Sequence, residues 1–541
     1  MSHRAELELA ARDLFGWPSL RPPQLEAMEA IMAGRDVLAL MATGSGKSAI
    51  YQVPGVLLPG VTLVVSPLIA LQHDQISGLA ATRAPSAVVI NSQLRDSELR
   101  NAWDVVRRQA AEYVFLAPEQ LTNDAVVNAL RAGGISLIVV DEAHCVSAWG
   151  HDFRPSYLRI VDTIESLGHP TVVALTATAS PVVRREIVER LGLRDPLVIA
   201  SGFDRPNIRL QVSHYVEDDD KRDAVVDSAS IAQKPALLYA ATRRDAETYG
   251  AQLLSSGMRA VAYHAGLNRA QRNDVHARFR AGELEVVVAT SAFGMGIDKA
   301  DVRTVLHASV PDSLDNYYQQ IGRAGRDGKP AVAHLFYRPE DLALARFFAS
   351  NTVDEELLAH VYSALRSAGK SMRLSDLRDE IDAHDRTLTN ALNLFNEAGL
   401  VEPTPDGFQV SRRVAPDTAV AEALAIVERG ERIDRTRVEM MRGYAETRDC
   451  RRQFLLSYFG EALPQPCGNC DRCDVIAAPP TGREPTTAGV WTVDTPVRHR
   501  QWGKGVVMGV DDDRITVLFD DYGYRTLSLD AIERSGVLRR A

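Results

Sequence analysis

The segment Met41–Ser48, MATGSGKS, has the residue types needed to hold a polyphosphate. Gly44 and Gly46 let backbone amides turn toward phosphate oxygens, Lys47 supplies a point charge for the β- and γ-phosphates, and the Ser48 hydroxyl is a hard ligand for Mg²⁺. The loop follows the apolar run Asp36–Met41 and precedes a helical pattern, so a helix N-terminus faces the anion. Asp141 and Glu142 open the tetrapeptide DEAH, directly after the apolar run Ser136–Val140, which reads as the fourth strand. At a strand's C-terminal end such carboxylates lie beside the phosphate loop. Asp141 is expected to hold Mg²⁺ and Glu142 to position and deprotonate the attacking water. Arg323 and Arg326 stand three apart in QQIGRAGRDG, Gln319–Gly328. On a helix they share a face, from which they could reach across a cleft and stabilise charge on a transferring phosphoryl group. Upstream, in Leu20–Gln24, the Gln24 amide can pair with a donor and an acceptor on an adenine edge. The bland alternatives, a solvated acidic pair and a solvated arginine pair, fit poorly beside buried apolar runs.

A second chemistry lies near the C-terminus. Cys450, Cys467, Cys470 and Cys473 have the spacing Cys-x16-Cys-x2-Cys-x2-Cys, and the fifth cysteine, Cys145, stands alone. Four thiolates satisfy a tetrahedral Zn²⁺ with no open position for catalysis. A redox dithiol is the runner-up.

These groups need a scaffold. Strand-like apolar runs occur at Asp36–Met41, Thr62–Ser66, Tyr113–Ala117, Ser136–Val140 and Thr171–Thr176, and again at Ala236–Ala240, Ala260–His264, Glu285–Thr290, Arg303–Ala308 and Ala331–Tyr337. Apolar on both faces and separated by helical patterns, they read as buried parallel strands in two α/β lobes. The polar stretch His214–Arg222 reads as the hinge between lobes. Thr352–Ser411 gives helix, short strand, helix, helix and a hairpin around Pro405-Asp406-Gly407, a winged-helix pattern; a small helical spacer is the alternative. Ile476–Thr487 reads as a linker, and Val497–Leu529 as a small β-barrel whose Trp502, Phe519, Tyr522 and Tyr524 form either its core or a binding face, with the core favoured.

The chain has 541 residues, enough for three or four domains, and a net charge of −10, so nothing in bulk charge suggests a nucleic-acid partner. Mean hydropathy is −0.13. No run approaches a membrane span, and Met1–Phe15 lacks the pattern of a secretory leader, so a cytoplasmic location is expected.

With these motifs in order the sequence resembles superfamily 2 helicases, and more narrowly RecQ-type ones. The resemblance rests on LRPPQ (Leu20–Gln24), MATGSGKS, SPLIALQHDQ (Ser66–Gln75), APEQL (Ala117–Leu121), DEAHCVSAWGHDFRPSY (Asp141–Tyr157), LTATA (Leu175–Ala179), YHAGL (Tyr263–Leu267), ATSAFGMGIDK (Ala289–Lys299), the arginine segment and the cysteine cluster. It implies two RecA-like lobes, 1–205 and 206–345, then a winged-helix-like insert at 352–412, a helical zinc-binding subdomain at 420–475, a linker at 476–496 and an SH3-like barrel at 497–541. It also implies an ATP-dependent DNA helicase moving 3′→5′ in repair and recombination. Arg21, Gln24, Met41, Ala42, Thr43, Gly44, Ser45, Gly46, Lys47 and Ser48 would bind ATP. Trp149, His151, Phe153 and Arg154, on an aromatic-rich loop, would contact DNA, as would Ser66, Gln72, Thr290 and Ser291. His144, Thr176, Phe293, Gly294, Met295, Gly296, Asp298 and Gln319 would couple the DNA track to the ATP cleft. The implied partners are single-stranded and tailed duplex DNA, with a protein partner for the barrel.

Three features depart from the family pattern. Gln320 stands where a Glu is usual. No winged helix follows Cys473, and no HRDC module is seen. The C-terminal tail is not a usual RecQ part, and is similar instead to the small segment that ends UvrD-type helicases. Two other readings stay open: a DNA-stimulated translocase that unwinds little, and a non-catalytic DNA-binding scaffold.

Overall fold

The computed structural model describes the chain apart from residues 1–2, 43, 68, 92–93, 109, 148–153, 295–298, 344–352, 405–406, 476–490, 493–494, 511–513 and 521. The first lobe is a seven-stranded sheet built from β1 (Val37–Met41), β2 (Val61–Val65), β3 (Ala87–Ile90), β4 (Tyr113–Leu116), β5 (Ile135–Val140), β6 (Thr171–Thr176) and β7 (Leu197–Ser201). Their order is β3-β4-β2-β5-β6-β1-β7, and every pairing is parallel. Leu38, Leu40, Leu63, Val65, Ile138 and Val140 pack on one face. Val37, Ala39, Met41, Val64, Leu137 and Val139 pack on the other. Both faces are covered, so the strands are apolar throughout rather than alternating.

The second lobe is a six-stranded parallel sheet of β8 (Ile208–His214), β9 (Ala236–Tyr239), β10 (Ala260–Tyr263), β11 (Val286–Ala289), β12 (Thr304–His307) and β13 (Ala331–Tyr337), in the order β10-β11-β9-β12-β13-β8. His214 ends β8 and a helix spans Asp218–Ile231, so the stretch read as a hinge belongs to this lobe. The chain crosses between lobes at 202–207. Phe203 stacks on Phe459 with ring centroids 4.9 Å apart, and Arg452 pairs with Asp204 at 2.9 Å, so the crossing is held by the C-terminal helices.

Helices Glu355–Ala368, Leu374–Glu380 and Asp385–Glu397 follow, with a hairpin of β14 (Val401–Thr404) and β15 (Gly407–Val410). A long helix, Pro416–Glu446, carries the chain to the cysteines, with short helices Arg451–Tyr458 and Asp471–Val475. The last unit is an antiparallel sheet of β16 (Pro496–His499), β17 (Gly503–Val510), β18 (Arg514–Phe519), β19 (Gly523–Ser528) and β20 (Leu538–Arg540), ordered β19-β18-β17-β16-β20.

This sheet does not hang free. Val497, Val507, Ile515, Val517 and Phe519 form its own core, joined by Trp491, a residue placed in the linker by the sequence reading. Met508, Leu518 and Tyr524 point the other way, into the core shared with Tyr444, Leu455 and Tyr458. The four aromatic residues therefore split. Phe519 is core, and Trp502 stacks on His499 (centroids 4.0 Å apart, planes 12° apart). Tyr522 lies under Arg432, and Tyr524 meets Tyr458 with centroids 5.2 Å apart. Tyr458 in turn donates to the Asp315 carboxyl of the second lobe. Among the described residues no helix is long and apolar enough to cross a membrane.

Candidate active site

Sheet order explains how residues about a hundred positions apart meet. Only β6 separates β1 from β5, so the phosphate loop after β1, DEAH after β5 and the Thr176 segment after β6 emerge side by side at one sheet edge. Because β3 precedes it, the strand before DEAH is the fifth, not the fourth. β3 is a four-residue strand at the sheet's edge, half-buried except at Ile90.

Gly44 and Gly46 have φ of +81° and +82°, the left-handed region where a side chain is strained. The loop is braced from behind by Gln24, whose Nε2 donates to the carbonyls of Ser45 (3.2 Å) and Gly46 (3.0 Å) while its Oε1 accepts from the Arg21 amide (2.9 Å). Lys47 Nζ donates to the Met41 carbonyl at 3.1 Å. Desolvation lowers the Lys47 pKa; Glu142 and Asp141 oppose that shift and Arg326 adds to it.

Asp141 is buried. Desolvation, followed by the neighbouring Glu142, raises its pKa to about 7 against the opposing pull of Lys47. Its Oδ1 accepts from the Glu142 amide at 3.0 Å, and Ser66 Oγ donates to Oδ2 at 3.5 Å. Tyr157 Oη donates to the Asp141 carbonyl at 3.0 Å. Glu142 is one of three non-glycine residues with positive φ (49°) among the described residues, a conformation costing about 1–2 kcal/mol. His144 Nδ1 lies 3.0 Å from Thr176 Oγ1 and 3.4 Å from Glu142 Oε2. Thr176 Oγ1 spends its proton on the Thr178 carbonyl (3.0 Å), so Nδ1 carries the hydrogen and ties DEAH to the end of β6.

The arginines reach the site by a different geometry from the one expected. The helix Leu314–Ile321 stops before them, and Gly325 adopts a φ of +57°. The turns are held by residues the sequence reading did not single out. Arg205 donates to the carbonyls of Gly322, Ala324 and Gly325 at 3.2, 2.8 and 3.0 Å, and Asn207 Nδ2 donates to those of Gly325 and Lys329 at 2.8 and 2.9 Å. The two arginines therefore do not share a helical face. Arg323 is buried beside Gly294, where a Cβ would stand 3.2 Å from its Nη2, and its charge opposes the burial-driven rise in the Tyr239 pKa. Arg326 crosses to the first lobe and lies against Gly44. Gln319 is half-buried; Gln320 Oε1 accepts a hydrogen bond from His307 Nε2 at 2.8 Å.

Of the residues expected along a DNA track, Ser66 and Gln72 are 2% and 0% exposed. Ser66 faces Asp141, and Gln72 Nε2 donates to the Ser66 carbonyl at 3.0 Å, so in this conformation neither side chain is offered to a strand. Arg154 Nη1 donates to the Pro67 carbonyl at 3.3 Å. Thr290 and Ser291 follow β11, and Ser291 is exposed on a cavity of about 780 Å³ at the C-terminal ends of β9 and β12. Phe293 is buried against Tyr263 and Phe279, and Tyr239 Oη donates to its carbonyl at 3.0 Å. Thr43, Trp149, His151, Phe153, Met295, Gly296 and Asp298 lie outside the described residues.

The four clustered cysteines converge, their Sγ atoms all within 4.8 Å of one another. Cys467 and Cys473 Sγ lie 3.9 Å apart and Cys470 and Cys473 Sγ 3.4 Å apart. A tetrahedral zinc with bonds of about 2.3 Å needs sulfurs about 3.8 Å apart, so the set fits that ion. Amides of Cys467 and Asn469 donate to Cys450 Sγ and Cys467 Sγ, both at 3.3 Å, as expected around thiolates. Arg451, fully buried, anchors the knuckle. It forks onto Asp471 (2.5 and 2.9 Å) and donates to the Tyr444 carbonyl at 2.7 Å. The knuckle docks on the edge of the second lobe, where Leu210 bridges to Cys470 and Asn469 Nδ2 donates to the Pro206 carbonyl at 3.0 Å. Cys145 is buried in the first lobe.

Two parallel-sheet lobes with a phosphate loop on one and arginines from the other define an ATP-dependent helicase. Comparison agrees: residues 21–186 match the DEAD/DEAH box helicase family and 220–328 the helicase conserved C-terminal domain. Residues 417–474 match the RecQ zinc-binding family. The chain is 33% identical over 470 residues to the probable ATP-dependent DNA helicase RecS of Bacillus subtilis, covering 86% of this chain and 91% of that one. It is 34% identical over 494 residues to the ATP-dependent DNA helicase RecQ of Synechocystis, covering 87% and 99%. The chain belongs to the RecQ family of ATP-dependent DNA helicases. Its fold also resembles that of the DUF1998 helicase MrfA bound to DNA (17% identity, TM-score 0.54, 76% of this chain and 63% of that one).

Proposed function

We propose that this enzyme couples hydrolysis of Mg-ATP to 3′→5′ movement along single-stranded DNA and to duplex opening, in the cytoplasm and in the service of repair and recombination. The observation that carries this reading is the reach of Arg326 onto the phosphate loop, which makes hydrolysis depend on closure of the two lobes. Lys47 binds the β- and γ-phosphates, and Gln24, its amide engaged by Arg21 and the loop carbonyls rather than free for an adenine edge, holds the phosphate loop in shape. Ser48 and Asp141 present hard oxygens suited to Mg²⁺, which would neutralise phosphate charge. Glu142 orients and deprotonates water; Arg323 and Arg326 stabilise the charge that develops on the phosphoryl oxygens. The His144–Thr176 tether carries the state of the DEAH turn toward the DNA face. There, Arg154, the aromatic residues Trp149, His151 and Phe153, and Thr290 and Ser291 hold the strand by stacking and backbone contacts. Gly296, Asp298 and Gln319 link that face to the cleft.

We read 352–412 as a winged helix, since the Met372–Phe408 bridge adds a third strand position to its hairpin, and 497–541 as an SH3-like barrel with its own apolar core. The test is strand displacement on matched duplexes with a 3′ or a 5′ single-stranded tail, with ATP and Mg²⁺ and a Glu142→Gln control. Selective opening of the 3′-tailed duplex, lost in the control, supports the reading. ATP turnover with DNA but no opening would make the enzyme a translocase instead.

A further inference from the structure

The C-terminal sheet carries an arrangement of cations that its own packing does not explain. β16 pairs antiparallel with β20 on one side and β17 on the other. In that register Arg498 stands directly opposite Arg539 across one ladder and Lys504 across the other. Direct partners project from the same face, so Arg539, Arg498 and Lys504 form a row of like charges across three strands. All three are exposed, and among the described residues none of them has a carboxylate partner. Asp520 stands directly across from Lys504 in the β17–β18 register, so the row ends on an acidic position at that side. Like charges opposed across a ladder destabilise a sheet, and this chain carries a net charge of −10. A cationic row of this kind is therefore a local feature set against the rest of the molecule.

The row is also placed next to the motor. Two residues on from Lys504, Val506 is already buried, and Met508, Leu518 and Tyr524 continue into the core shared with Tyr458. The exposed cations thus border the seam where the C-terminal sheet joins the helicase body. Neighbouring strands lie about 5 Å apart, so the row is about 10 Å long, the run of about three nucleotides of one strand.

We infer that Arg539, Arg498 and Lys504 form a phosphate-binding stripe that holds the backbone of the DNA on which the motor acts. This rests on the DNA-motor reading above. Contacts of this kind position a strand without reading its sequence.

The test uses the full chain and a fluorescein-labelled oligothymidylate, with binding measured against NaCl concentration in the absence of nucleotide. The variant is R498Q/K504Q/R539Q, with R498Q alone beside it. The triple variant should lower the slope of log affinity against log salt by about 2, and the single variant by about 0.7, from about 0.7 per phosphate neutralised. ATP turnover at saturating DNA should be unchanged, and the melting temperature should not fall, because repulsion has been removed. An unchanged slope overturns the stripe and leaves an acidic protein segment as its occupant. A lowered melting temperature with lost turnover also overturns it, by making the residues structural. Wild-type protein without DNA-stimulated ATP turnover would instead show that the motor reading had failed, since the salt slope is measured independently of hydrolysis.

Discussion

Arg326 of the second lobe lies against Gly44 of the phosphate loop: a Cβ on Gly44 would stand 3.2 Å from the arginine's Cγ and 3.3 Å from its Cδ. Glycine here serves two needs at once, a left-handed turn around phosphate and room for an arginine from the other lobe.

Replacing Arg326 with Ala should leave ATP affinity within a few-fold and lower DNA-stimulated kcat by about 10³ or more. Gly44→Ala should also lower kcat, by obstructing closure, while an isolated first lobe still binds nucleotide. Steady-state ATP turnover alongside equilibrium nucleotide binding separates the two effects. A large loss of affinity in Arg326→Ala would show the residue holding ground-state phosphate instead.

His307 is buried, and desolvation depresses its pKa to about 4, against the smaller opposing effect of the Gln320 hydrogen bond. The fold therefore holds the neutral ring. That stabilisation is complete above the unfolded value of about 6.5 and is lost as pH falls from there toward 4. Gln320→Glu should raise the His307 pKa by supplying a carboxylate at the same 2.8 Å contact. NMR titration of the ring protons decides it: a value still near 4 in the variant would refute the electrostatic account.

One zinc per chain is expected by elemental analysis. Cys470→Ser should lower both zinc content and melting temperature, because the Cys470 loop is pinned to the second lobe through Leu210 and Asn469. Loss of metal with no change in melting temperature would argue that Arg451 and Asp471 alone hold the knuckle.

Tyr458→Phe removes the hydroxyl that donates to the buried Asp315 carboxyl and should cost about 1.5–3 kcal/mol. Urea denaturation measures it. Pairing the change with Asp315→Asn in a double-mutant cycle isolates the contact, and additive costs would mean the two residues are not coupled.

How much of this could be read from the chain depended on whether the chemistry was contiguous. The phosphate loop, DEAH and the cysteine triplet are written in consecutive residues, and the structure brings Lys47, Asp141 and Glu142 into electrostatic contact and the four sulfurs into one cluster. The buried parallel strands were legible because both faces are apolar. Three others were not. β3 and β7 are apolar runs of only four residues at the two edges of their sheet, and β8 alternates buried and half-exposed residues, as an edge strand does, so none stands out as a long buried run. Arg205 and Asn207 shape the arginine turns entirely through backbone carbonyls, and no spacing rule announces that. The seating of Tyr524 on Tyr458 was likewise hidden, since an aromatic residue in a small sheet looks the same whether it faces inward or onto a neighbour.

The bridge from Leu210 to Cys470 has a consequence for how the molecule comes into being. β8 is an edge strand, and its outer side is met by a loop roughly 260 residues further along; the Asn469–Pro206 contact beside it spans 263 positions. A ribosome adds about 5–20 residues per second. For some tens of seconds after β8 emerges, its outer hydrogen-bonding groups have no partner within the nascent chain. An open edge is a template for another copy. Zinc-starved synthesis would prolong that interval, so the first sign of metal shortage should be chains that stick to one another, before any finished enzyme loses its activity.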